Sequence, residues 1–104
     1  MIQFTSLLWI WKGQAAGRWY FVTVPDEQSA EIKAQAFASP RGFGSVRVEA
    51  AIGSSAGSGQ AIVWRTSVFP LNGGGYILPI KAKVRRDAGI SAGDEVTVRL
   101  GLLV

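Results

Sequence analysis

The sequence predicts a mainly β protein with two short helices, its six strands closing as one small barrel. Three observations lead there: the length, a two-residue rhythm of apolar side chains, and a near-repetition of the element order. At 104 residues the chain has room for one hydrophobic core and too little for two. With 48% hydrophobic and 17% charged residues it buries enough apolar surface to offset the entropy of ordering, which excludes wholesale disorder. The rhythm is clearest over residues 45–52, where Val46, Val48, Ala50 and Ile52 alternate with Arg47 and Glu49. Residues 95–100 repeat it, with Val96, Val98 and Leu100 against Glu95, Thr97 and Arg99. Alternation of this kind gives a strand one dry face and one wet face.

The remaining strands are expected at residues 2–11, 19–24, 61–68 and 76–80, which are rich in aromatic and β-branched residues and bounded by Gly or Pro. Residues 25–34 break the alternation and read as a helix with Asp26 as N-cap and Asp26 and Glu27 in the first turn, where the helix dipole favours acids. Residues 81–88 read as a second helix. It is ended by Gly89 in the left-handed conformation, with Ile90 as its apolar clasp and Ser91-Ala92-Gly93-Asp94 as a turn into the last strand.

Placed end to end, residues 1–52 and 60–104 each read strand, strand, helix, strand within one domain. Gly17-Arg18-Trp19 matches Gly74-Gly75-Tyr76, and Val24-Pro25 matches Leu78-Pro79. The Gly/Ser-rich stretch 53–59 links the halves as a flexible loop. Two such halves, neither able to cover its own apolar face, close most simply as a barrel with a helix at each end. Chance similarity between two β-rich halves is the plainer alternative.

Composition excludes several chemistries. The chain has no Cys and no His, which removes disulfides, Cys/His zinc sites and Ser–His or Cys–His catalysis. Ser29, Ser45 and Ser67 lack an activating base, and Ser67 with Lys81 as a Ser–Lys pair would need a desolvated lysine. Asp26-Glu27 and Asp94-Glu95 read as a helix start and a turn edge rather than as a metal or acid–base pair. The Gly-rich stretches lack the Lys-Ser/Thr of a phosphate loop. No catalytic residue, metal or cofactor is expected. An apolar patch at residues 7–11 has no preceding basic residue and is closed by Lys12, and the uncharged runs 50–64 and 66–80 are broken by Gly, Ser, Asn and Pro. A soluble cytoplasmic protein without membrane contact is expected, as a monomer or weak homodimer.

The binding candidates are two. The net charge is +4, and the basic excess concentrates in Lys81, Lys83, Arg85 and Arg86. On a helix Lys81 and Arg85 share a face, while Lys83 reaches Asp87 and is neutralised by it. The run is either a solvated helix face or an anion or nucleic-acid patch, and the two or three cations left free are few for tight nucleic-acid binding. The second candidate is a shallow pocket floored by Trp64 with Arg65 at its mouth and Ser67 beside it, for an anionic small molecule or peptide terminus. The plain alternative is one core aromatic and two surface polar residues, because Trp64, Thr66 and Val68 share one strand face and Arg65 and Ser67 the other. Trp9 and Trp11 share a face of the first strand and, if both are exposed, mark a protein contact surface.

Five stretches carry a family resemblance: Trp19-Tyr20-Phe21-Val22-Thr23-Val24-Pro25, Arg41-Gly42-Phe43-Gly44-Ser45-Val46-Arg47-Val48, Trp64-Arg65-Thr66-Ser67-Val68-Phe69-Pro70, Gly75-Tyr76-Ile77-Leu78-Pro79-Ile80-Lys81 and Val84-Arg85-Arg86-Asp87-Ala88-Gly89-Ile90-Ser91-Ala92-Gly93-Asp94-Glu95-Val96. In this order they resemble the domain of unknown function 1905. The resemblance implies a double-split barrel related to the swapped-hairpin barrels of AbrB-like and MazE-like transcription factors and antitoxins, one chain supplying what two supply there. It brings no established activity. A non-enzymatic binding or accessory module for an anionic small molecule or protein partner is expected, with weak nucleic-acid binding through the second helix as the alternative.

Overall fold

The computed structural model describes residues 1–12, 18–37, 44–53 and 61–103. Gly17, Arg41-Gly42-Phe43 and the link over 54–59 lie outside the described residues. In chain order the elements are β1 (Ile2–Lys12), β2 (Arg18–Val24), α1 (Asp26–Ala36), β3 (Val46–Gly53), β4 (Ala61–Pro70), β5 (Tyr76–Pro79), α2 (Ala82–Ala88) and β6 (Glu95–Leu102). All neighbouring strands are antiparallel, and they close into a six-stranded barrel in the order β1-β2-β5-β4-β3-β6.

The two-residue rhythm turns one face of each strand inward. Val46, Val48, Ala50 and Ile52 of β3 are buried, as are Val96, Val98 and Leu100 of β6. β1 contributes Ile2, Phe4 and Leu8, β2 contributes Val22 and Val24, β4 contributes Trp64 and Val68, and β5 contributes Tyr76 and Leu78. Ile32 from α1, Val84 and Ala88 from α2, and Ile80 and Ile90 on either side of α2 join this core. β1 serves two ladders: Ile2 to Leu7 pair with β6, and Leu8 to Lys12 pair with β2.

The helix starts depart from expectation in one respect. Pro25, not Asp26, stands at the N-cap of α1, in extended conformation and without a side-chain cap bond, and Asp26 is already helical. The pyrrolidine ring fixes φ and carries no N–H, so proline closes β2 and launches the helix, leaving Asp26 and Glu27 in the first turn. α2 ends as read: Gly89 is left-handed at φ 69°, the Ile90 N–H donates to the Arg85 carbonyl at 3.1 Å, and the Ile90 side chain is buried.

Both helices follow a strand–linker step, Val24-Pro25 before α1 and Ile80-Lys81 before α2. Counting back from those starts equates Tyr20 with Tyr76 and Trp19 with Gly75, one residue away from the match of Trp19 with Tyr76 read in the sequence. Leu78-Pro79 therefore does not correspond to Val24-Pro25. Pro79 still lies within β5, opposite Phe21. The Ile80 N–H donates to the Tyr20 carbonyl at 2.8 Å, which makes Phe21 and Pro79 a non-hydrogen-bonded pair where proline's missing donor goes unused.

Candidate functional site

A cleft of about 320 Å³ opens where β5 runs out. β5 is four residues long and pairs with β4 only at Phe69↔Ile77 and Pro70↔Tyr76. Below that point no strand among the described residues lies between β2 and β4. Three consecutive residues of each, Arg18, Trp19 and Tyr20 on one side and Trp64, Arg65 and Thr66 on the other, form the walls, and the turn from β5 into α2 forms the floor. A strand face supplies every second residue; a strand edge supplies consecutive ones. The cleft is thus bounded by two strand edges.

Its charge is one-sided. Arg18, Arg65, Lys81 and Arg85 line it, with no carboxylate among the lining residues. Arg65 lies 3.8 Å from Glu49 in a solvent-exposed pair on the outer face of β3 and β4, an interaction that water largely screens. Arg85 is the more firmly held. Its guanidinium sits 3.5 Å from the centre of the Tyr20 ring, and its Nη1 donates to the Ile80 carbonyl at 2.6 Å. Lys81 is exposed at the start of α2. Neither Lys81 nor Arg18 has an acidic partner among the described residues. Trp64 is buried and Trp19 is 56% exposed, so the aromatic lining grades from core to solvent.

The two sequence candidates meet here. Lys81 and Arg85 of the basic run and Trp64 and Arg65 of the pocket line the same cleft. Lys83 instead bonds Asp87 at 2.7 Å, as the four-residue spacing requires; the ammonium holds the Asp87 carboxyl below its ordinary range chiefly by that hydrogen bond. Arg86 is exposed and outside the cleft lining. Ser67 is also outside it, because the lining on β4 stops at Thr66, just short of where β5 covers the edge from Phe69. Arg18, Trp19 and Tyr20 escaped the sequence reading. No local motif joins them to Trp64; the strand order β2-β5-β4 and the shortness of β5 do.

Two of the other side chains weighed for chemistry make hydrogen bonds within the fold. Ser29 is buried in α1, its hydroxyl donating to the Val24 carbonyl at 3.1 Å and accepting the Tyr76 N–H at 3.2 Å. Asp94 accepts the Ser91 N–H at 2.7 Å, pinning the turn before β6. Trp9 and Trp11 part company. Trp11 is 50% exposed, whereas Trp9 is half-buried, donating from its indole to Thr23 Oγ1 at 2.9 Å and packing 5.2 Å from Phe21. Among the described residues no three acidic side chains gather as a metal site, and no helix is long and apolar enough to cross a membrane.

A search of curated proteins finds no match. The family described as "Domain of unknown function (DUF1905)" matches residues 4–100, a span that holds both helices, the four middle strands and most of β1 and β6, so the chain belongs to that family.

Proposed function

We propose that this protein is a non-enzymatic cytoplasmic binding module that takes an anionic ligand in the cleft between β2 and β4. One observation carries this: four cationic side chains and three aromatic ones line a single opening that no carboxylate shares. Arg18 and Lys81, which have no acidic partner among the described residues, are held in water at no electrostatic gain, and an entering anion turns that arrangement into charge-assisted hydrogen bonds worth more than neutral ones. The aromatic walls supply apolar contact at low entropic cost, and the volume suits a small ligand or the end of a larger one. The basic side chains of α2 support this site more than a nucleic-acid face, since Lys83 is neutralised by Asp87 and Arg85 is turned onto Tyr20.

Thermal denaturation in the presence of benzoate and of inorganic phosphate tests the proposal. A melting temperature that climbs with ligand concentration, falls back with added salt, and stays flat in the double variant Arg18→Glu with Lys81→Glu supports it. A wild-type melting temperature unmoved by either anion overturns it.

A further inference from the structure

The edge of β4 that faces the cleft has a second property besides its charge. β3 pairs with β4 along Ala61 to Val68, while β5 covers only Phe69 and Pro70 on the opposite edge. The hairpin shows which residues turn their main chain to that second edge. The Leu71 N–H donates to the Gly75 carbonyl at 2.9 Å, so Leu71 and Gly75 are hydrogen-bonded partners. Strict alternation along an antiparallel ladder then assigns the β5-facing N–H and C=O groups of β4 to its odd-numbered residues. Beyond the end of β5 these include Arg65 and Val63, and among the described residues no strand lies beside them.

An unpaired edge is a template for another extended chain. This one is closed at one end, because Ile80, Lys81 and Ala82 form the floor where β5 gives way to α2. A strand laid along Val63 and Arg65 must therefore stop at Lys81, so a chain end falls among the cations. Charge also decides against a second copy of this protein as occupant: pairing two such edges would set each copy's Arg18, Arg65 and Lys81 against their own counterparts.

The geometry points to the extended C-terminal segment of a polypeptide as the ligand of the cleft. Its main chain pairs with Val63 and Arg65, and its terminal carboxylate sits among Lys81, Arg18 and Arg65. This rests on the anion-binding reading above and narrows it to one ligand class. The polypeptide backbone supplies affinity along the edge; the cationic end reads the free carboxylate and so selects a terminus over an internal strand.

The test uses the whole chain, isotope-labelled for amide-resolved NMR, and pools of acetylated pentapeptides randomised at every position. One pool has free C-terminal carboxylates, one is amidated, and one has free carboxylates with alternate peptide nitrogens methylated; benzoate serves as the small-anion control. The free-acid pool is expected to slow hydrogen exchange at Val63 and Arg65, and the amidated and N-methylated pools to bind about tenfold more weakly, the loss set by charge-assisted and main-chain hydrogen bonds. In Lys81→Glu the preference for free acid over amide is expected to vanish while residual edge pairing remains. Benzoate shifting the Lys81 resonances with no pool protecting Val63 or Arg65 overturns strand addition and leaves the anion site standing. Equal binding of free-acid and amidated pools overturns the carboxylate assignment. Protection of Val63 and Arg65 without peptide, accompanied by dimerisation, makes a second copy the occupant and overturns the proposal. No response to benzoate or to any pool overturns both readings.

Discussion

Arg85 and Tyr20, at the fourth residue of α2 and the third of β2, lock the end of the barrel together: the guanidinium lies 3.5 Å over the ring centre and at the same time bonds the carbonyl of Ile80. The corresponding place in the first half is held differently. The fourth residue of α1, Ser29, bridges Val24 and Tyr76 through one buried hydroxyl. A small hydroxyl seals the first helix onto the sheet, whereas a long cation spans the second junction and leaves its flank open as the cleft.

Replacing Arg85 by Ala is expected to lower stability by about 1–3 kcal/mol, the combined scale of a part-buried cation–π contact and a charge-assisted hydrogen bond. Arg85→Lys retains part of this and Tyr20→Leu removes only the ring contribution. A double-mutant cycle between Arg85→Ala and Tyr20→Leu, read by urea denaturation, is expected to show a coupling of about 0.5–1 kcal/mol; additivity of the two would dismiss the stacking.

Ser29→Ala leaves the Val24 carbonyl and the Tyr76 N–H without their side-chain partner in a buried site. The expected loss is about 1–3 kcal/mol, with faster amide exchange at Tyr76 than in the parent protein. Ser29→Thr, which keeps the hydroxyl, is expected to retain the Tyr76 protection to the extent that its methyl is accommodated beside the sheet.

Leu78 is fully buried at the centre of β5, the shortest strand, and Leu78→Ala is expected to cost about 2–5 kcal/mol. Set against the roughly 5–15 kcal/mol total stability of a domain, that is a sizeable share, enough to lower the melting temperature by many degrees. Circular dichroism on heating checks it: a melting temperature within a degree or two of the parent's would show that the core does not depend on β5.

The Lys83–Asp87 pair predicts a small pH-dependent effect of definite sign. The folded-state pKa of Asp87 is lowered from 3.8, first by its hydrogen bond from Lys83. A depressed carboxyl stabilises the fold fully above its unfolded pKa and loses that contribution as pH falls through the lower folded value. Asp87→Asn is therefore expected to be slightly less stable than the parent at neutral pH, and the gap to narrow in acid below pH 3.8 or in high salt. A gap independent of both pH and salt would show that the ion pair contributes nothing.

Much of this molecule was legible in order of residues. The alternation of Val46, Val48, Ala50 and Ile52 fixes both the strand and its inward face, because a side chain two positions on returns to the same side. Gly89 followed by Ile90 fixes the end of α2, because only a residue without Cβ takes the left-handed turn at little cost. Lys83 and Asp87 pair because helical geometry brings them together wherever the helix lies. What tertiary structure decided is the cleft. Arg18 and Arg65 are distant in the chain and belong to strands that never pair; they share an opening only because β5 lies between β2 and β4 and stops at Pro79. Strand length and neighbour order are settled by closure of the barrel around its core, a non-local balance of burial against main-chain pairing, and no stretch of sequence holds that information by itself.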